Sequence, residues 1–78
     1  MVTVHRAHGF RFVIFANDHS PPHLHVFGRG GEAKILLEQE SVRVERFIGL
    51  SRADVRLVLS EAQVMREQLL ATWRRLHG

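Results

Sequence analysis

Phe10-Arg11-Phe12-Val13-Ile14-Phe15 is aromatic and β-branched, and it stops at the turn formers Asn17 and Asp18. Such a run predicts a strand with Phe10, Phe12 and Ile14 on one face, because side chains alternate across a pleated backbone. Beyond Pro21 and Pro22, His23-Leu24-His25-Val26-Phe27 alternates again. This places His23, His25 and Phe27 on one face and Leu24 and Val26 on the other. Gly28-Arg29-Gly30-Gly31 supplies a hairpin connection. Glu32 to Glu38 reads as a third strand with Ala33, Ile35 and Leu37 inward. Gln39-Glu40-Ser41 turns the chain into a fourth, Val42 to Phe47, which Gly49 ends.

A helix follows, and its start is well marked. Ser51 is the N-cap, Asp54 completes a capping box in its Asp variant, and Leu50 with Val55 fits a hydrophobic staple. No proline or glycine interrupts the chain from there to Leu76. Val55, Val58, Ala62, Met65, Leu69, Trp73 and Leu76 form one stripe, widened by Leu59 and Leu70. Laid on the sheet, that stripe gives an α+β, two-layer protein. The expectation is one domain over 1–78, with about four antiparallel strands within 10–47 and one long helix over about 52–76. Leu57, Val64 and Ala71, spaced by seven, make a second stripe beside Ala53. A helix covering one sheet needs one apolar face, so these three are the expected contact for another chain or a second copy. Scattered exposed aliphatics are also ordinary on a protein surface.

The bulk numbers narrow the classes. The chain has 78 residues, a formal charge of +3 and no cysteine, which leaves no disulfide framework and no thiolate metal site. Residues 1–50 carry six basic and five acidic groups, and residues 51–78 five and three, without a basic run of the kind that marks a nucleic-acid patch. The N-terminus lacks the layout of a signal peptide, and no apolar run approaches the ~18 residues of a membrane span. The expected location is the cytoplasm, with no membrane contact.

From the end of the first strand into the second runs Asn17-Asp18-His19-Ser20-Pro21-Pro22-His23-Leu24-His25-Val26, with three of the six histidines and both prolines. Histidine titrates near neutrality and is the commonest metal ligand. His23 and His25, two apart on a strand, project side by side. His19 stands across the proline turn. Three neutral imidazoles with an open fourth position are what a catalytic zinc site needs, so His19, His23 and His25 are the expected ligands of a divalent metal. Asp18 is the alternative ligand in place of an imidazole, or an orienting group behind one, so that the proline turn is expected to bring His19 or Asp18 near His23 and His25. The same residues also suit a plain scaffold, since an Asn-Asp-His turn can cap its own backbone. Ser20 lacks the Gly-x-Ser-x-Gly setting of a nucleophile. Asp18, Glu32 and Lys34 form a second constellation, similar to the carboxylates and lysine of metal-dependent nucleases.

Asp18-His19-x-Pro21-Pro22-His23-x-His25-Val26, followed by Glu32-Ala33 and a closing helix with Trp73, resembles an uncharacterised prokaryotic family known as domain of unknown function 4160. The likeness spans nearly the whole chain. It implies a short cytoplasmic protein often encoded beside another small protein, in a layout like that of toxin–antitoxin pairs. The expectation is therefore a small interaction protein with a histidine-rich surface site. The alternatives are a metal-dependent hydrolase or nuclease using His19, His23 and His25, and a nucleic-acid-binding regulator.

Overall fold

The computed structural model describes residues 1–77. Five strands, β1 (Val2–Ala7), β2 (Phe10–Ile14), β3 (His23–Gly28), β4 (Gly31–Leu37) and β5 (Val42–Ile48), form one antiparallel sheet in the order β1-β2-β3-β4-β5. Two helices follow, α1 (Arg52–Val64) and α2 (Arg66–His77). The architecture is α+β, as expected. Two details differ from the sequence reading: the sheet has a fifth strand, and the single long helix is two.

The extra strand is β1, an edge strand whose pattern is mostly exposed. Its polar Thr3, His5 and Arg6 hide the apolar alternation that gives away the inner strands. It joins β2 through His8-Gly9, and β3 joins β4 through Arg29-Gly30. Both central residues of each turn have positive φ, 57° and 81° in the first and 52° and 80° in the second. Two-residue loops of that kind match the right-handed twist of the strands they connect. Arg29 ties the two turns to the helix. Its Nη2 donates to the His8 carbonyl at 2.9 Å, its Nη1 to Asp54 at 2.8 Å, and its guanidinium lies over the Phe10 ring.

The helix starts as expected. Ser51 accepts from the Asp54 N–H at 3.0 Å, and the Asp54 carboxylate accepts from the Ser51 N–H at 3.2 Å. It breaks at Met65 although no glycine or proline is there. Met65 departs from helical geometry (φ −93°, ψ 4°), while the i→i−4 bonds from Met65 N–H to the Glu61 carbonyl and from Leu69 N–H to the Met65 carbonyl persist. Two side chains near it reach the β4–β5 turn. Gln63 donates to the Glu40 carbonyl and accepts from the Val42 N–H, while Arg66 donates to the carbonyls of Glu38 and Gln39. Those interactions are tertiary and leave no mark on local propensity.

Phe10, Phe12, Ile14, Leu24, Val26, Ala33, Ile35 and Leu37 meet Val58, Ala62, Leu69 and Trp73 in the core, all under 5 % exposed. Each large side chain so buried contributes roughly 1.5–3 kcal/mol. Leu57 packs against this core as well. The expected outer stripe is thereby reduced to Val64, which is 78 % exposed, and Ala71, one on each side of the helix break. His5 belongs to the helix side of the sheet: its ring lies 5.3 Å from that of Phe12, and its Nε2 meets Glu61 of α1 at 2.6 Å. His8 approaches the same carboxylate at 3.4 Å. Hydrogen bonding from His5, then the charge of that ring and the contact with His8, hold the Glu61 carboxyl below its ordinary range. Among the described residues no helix is long and apolar enough to cross a membrane.

Candidate functional site

The sheet has a second face, away from the helix layer. Pairing sets its rows: Thr3, Val13, His25, Lys34 and Arg46 lie side by side across the five strands, and Arg6, Arg11, Phe27, Glu32 and Ile48 form the next row. His23 and His25 therefore project together, as strand alternation requires, with ring centroids 5.3 Å apart.

The segment between β2 and β3 brings a third group to them. The Asp18 N–H donates to the Phe15 carbonyl at 3.1 Å, closing a turn, and Leu37 N–H donates to the Pro22 carbonyl at 2.9 Å, fastening the far end to β4. Held in this way, Asp18 Oδ2 stands 3.0 Å from His23 Nε2 and 3.5 Å from His25 Nε2. Donor atoms of Asp18, His23 and His25 all lie within 4.8 Å of one another, the one such group among the described residues. His19 is exposed and stands outside it. The structure thus brings together His23 and His25, and of the two expected neighbours, His19 or Asp18, it is Asp18 that joins them. Glu32 does not join, and Lys34 is engaged by Glu45 at 3.0 Å, so the Asp18, Glu32 and Lys34 constellation is not assembled as a cluster.

His23 is almost wholly buried, and its surroundings fix its tautomer. Nδ1 lies 2.9 Å from the Pro21 carbonyl oxygen. A carbonyl only accepts, so Nδ1 carries the hydrogen, and in the neutral ring Nε2 is left with a bare lone pair. That lone pair faces Asp18 Oδ2, which is itself buried and receives no hydrogen bond. Two acceptors 3.0 Å apart in a dry setting repel unless a cation sits between them. Burial pushes the His25 imidazole below its ordinary pKa. The Asp18 carboxylate opposes that shift, and the charge of Lys34 adds to it. A neutral ring with its nitrogen free is the ligating form.

A layer of aromatic groups backs the imidazoles. His23 packs on Trp73 with centroids 5.1 Å apart, and His25 meets Phe15 edge-on at 4.9 Å and Phe27 in a stack at 6.4 Å. His77 stacks on Trp73 at 3.7 Å and bonds the Phe15 carbonyl at 3.2 Å, which clamps the end of α2 to the segment carrying Asp18. Sequence reasoning missed His77. The available signal was its spacing, four residues after Trp73 and so on the same helix face. Beside His25 a depression of about 400 Å³ opens, with Glu32, Lys34, Arg46 and Ile48 among its walls.

The fold and the group on its outer face define a small α+β protein with an aspartate and two histidines converging on one point of an antiparallel sheet. A family model describes this chain over residues 9–74, and the chain belongs to that family, domain of unknown function (DUF4160). No curated protein and no solved structure matches it. The matched span covers the Asp18-to-His25 segment, all strands but β1, and Trp73.

Proposed function

We propose that Asp18, His23 and His25 hold a divalent metal ion of the zinc class, and that the chain is a cytoplasmic metal-dependent hydrolase. One observation carries this reading: Nε2 of His23, whose Nδ1 faces the Pro21 carbonyl, is aimed at a buried carboxylate oxygen without a hydrogen bond, 3.0 Å away. Two donors bound at about 2.0–2.1 Å to a tetrahedral zinc stand about 3.3 Å from each other. The separations of 3.0 and 3.5 Å from Asp18 Oδ2 to the two imidazoles bracket that value. The hydrogen bond from His23 Nδ1 to the Pro21 carbonyl is the outer support that ligating histidines almost always have. Two nitrogens and one oxygen suit zinc better than the harder magnesium or calcium. Three protein ligands also leave a fourth position for water, which separates a hydrolytic site from a closed structural one.

The test is the metal content of protein purified without a histidine tag. About one zinc per chain is expected in the wild type and in His19→Ala, and much less in His23→Ala and His25→Ala. Metal that depends on His19 as well would make the site a closed, structural one. No metal in the wild type after zinc loading would end the reading.

A second reading, an interaction protein in a toxin–antitoxin-like pair, is favoured by Phe47 and Ile48. They are 45 % and 69 % exposed at the end of β5, a free sheet edge. Such an edge can accept a strand from another chain. Co-expression with the product of the adjacent gene tests it, since Ile48→Lys should abolish a stable complex and leave the fold intact.

A further inference from the structure

The outer sheet face carries Arg6, Arg11, Lys34, Arg43 and Arg46 against Asp18, Glu32, Glu38 and Glu45, an excess of one positive charge. Of its cations, Lys34 is paired with Glu45 and Arg43 with Glu38, each at 3.0 Å. Arg6, Arg11 and Arg46 have no carboxylate within 4.0 Å among the described residues. Register places these three on β1, β2 and β5, so that unpaired guanidiniums flank His25 on both sides. Five strands at a spacing of about 4.8 Å make that line roughly 19 Å long. A small anion in the depression beside His25 would use Arg46 and leave Arg6 and Arg11 idle. A polyanion lying across the strands would use all three.

Flat groups fill the middle of the same line. Arg11 lies over the Phe27 ring at 5.6 Å, and Phe27 stacks with His25 at an interplanar angle of 15°. Aromatic rings and guanidinium planes are the surfaces on which unpaired bases stack, whereas a duplex keeps its base faces to itself. We propose that this face binds single-stranded nucleic acid, with Arg6, Arg11 and Arg46 on its phosphates and the Arg11–Phe27–His25 stack under a base. The binding face does not require the metal ion, so it goes beyond the hydrolase reading and stands or falls separately.

The experiment is fluorescence anisotropy with labelled oligo-uridine and oligo-thymidine of equal length, in chelator, over a salt series. Wild type should bind with a salt slope that Arg6→Gln/Arg11→Gln/Arg46→Gln lowers by about 2, from roughly 0.7 per phosphate contact on a single strand. The same triple should weaken binding at least about tenfold. Arg52, Arg56 and Arg75 are exposed on the helices and make no hydrogen bond or ion pair among the described residues, so their triple Gln variant is the charge-matched control. It should bind as the wild type does. Phe27→Leu keeps the apolar bulk, loses the ring, and should cost about fivefold or more. Preference for one oligonucleotide identifies the natural strand as RNA or DNA. Equal losses in both triples, equal affinity for inorganic polyphosphate, or tighter binding of a duplex would each overturn the proposal. Because chelator is present throughout, those outcomes leave the metal reading untouched, and loss of metal binding leaves this one untouched.

Discussion

Asp18→Asn separates a metal centre from a simple hydrogen-bonded cluster, because the two arrangements respond with opposite signs. The amide has the shape of the carboxylate but brings N–H donors. With His23 Nδ1 committed to the Pro21 carbonyl, Nε2 of the neutral ring is an acceptor, and the new amide N–H can reach it over the 3.0 Å that separates it from Asp18 Oδ2. A hydrogen bond made this way is worth about 1 kcal/mol net. A domain of this size shifts by about 4–8 °C per kcal/mol, so metal-free Asp18→Asn should melt as high as the metal-free wild type or up to that much higher. Zinc should do the reverse. At free zinc 100 times its dissociation constant the wild type gains about 2.7 kcal/mol, or about 11–22 °C. A variant binding 100-fold more weakly gains about 0.4 kcal/mol at the same zinc level, or about 2–3 °C. The assay is a thermal melt followed by circular dichroism, first in chelator and then in buffered zinc, with His8→Ala as a control for surface imidazoles. The reasoning is refuted if metal-free Asp18→Asn melts well below the wild type while zinc raises both equally. That result would mean a protonated His23 donating to Asp18 and no shared ion.

Three further outcomes follow from contacts elsewhere. Ser51→Ala removes the acceptor for the Asp54 N–H at the start of α1 and should cost about 1 kcal/mol in urea unfolding, with the slope unchanged. The depressed Glu61 carboxyl stabilises the fold above its ordinary value of 4.5, and that contribution is lost as pH falls through this value towards the folded one; Glu61→Gln should flatten the acid limb of the stability–pH curve there. Gly31→Ala would put a methyl group 2.5 Å from backbone atoms of Ile48 and Gly49, so β4 and β5 must move apart, at a cost of about 1–3 kcal/mol in the same unfolding assay.

The faces of the inner strands were legible because alternation is a rigid consequence of the pleat. Leu24 and Val26 are buried on the helix side while His23 and His25 turn the other way, as the run His23 to Phe27 requires, with His23 at the strand's start also touching Trp73 of α2. The helix start at Ser51 was equally plain, since the capping box is a local device. What escaped the sequence is non-local. The irregularity at Met65 coincides with Gln63 and Arg66 reaching carbonyls more than 20 residues away, and β1 is held by pairing with β2 more than by its own apolar pattern. Of the residues spaced by seven, Leu57 packs against the core while Val64 and Ala71 are exposed, a difference that depends on tertiary packing and not on spacing.

The choice between His19 and Asp18, which the sequence left open, has the same origin. Both precede Pro21, and spacing alone cannot say which of two adjacent side chains a loop turns inward. The hydrogen bond from Asp18 N–H to the Phe15 carbonyl decides it, because it closes the turn with Asp18 over β3 and leaves His19 facing solvent. The chemistry changes with it. Three imidazoles would form a neutral ligand set, whereas one carboxylate and two imidazoles place a negative charge beside a face lined by Arg6, Arg11, Lys34 and Arg46. An anionic chain drawn to those cations would meet repulsion at Asp18 unless a cation screened it. Nucleic-acid binding and metal binding should therefore reinforce each other. Zinc should tighten oligonucleotide binding in the wild type and have no such effect in His23→Ala, and zinc that weakens binding in the wild type would show that the two sites compete.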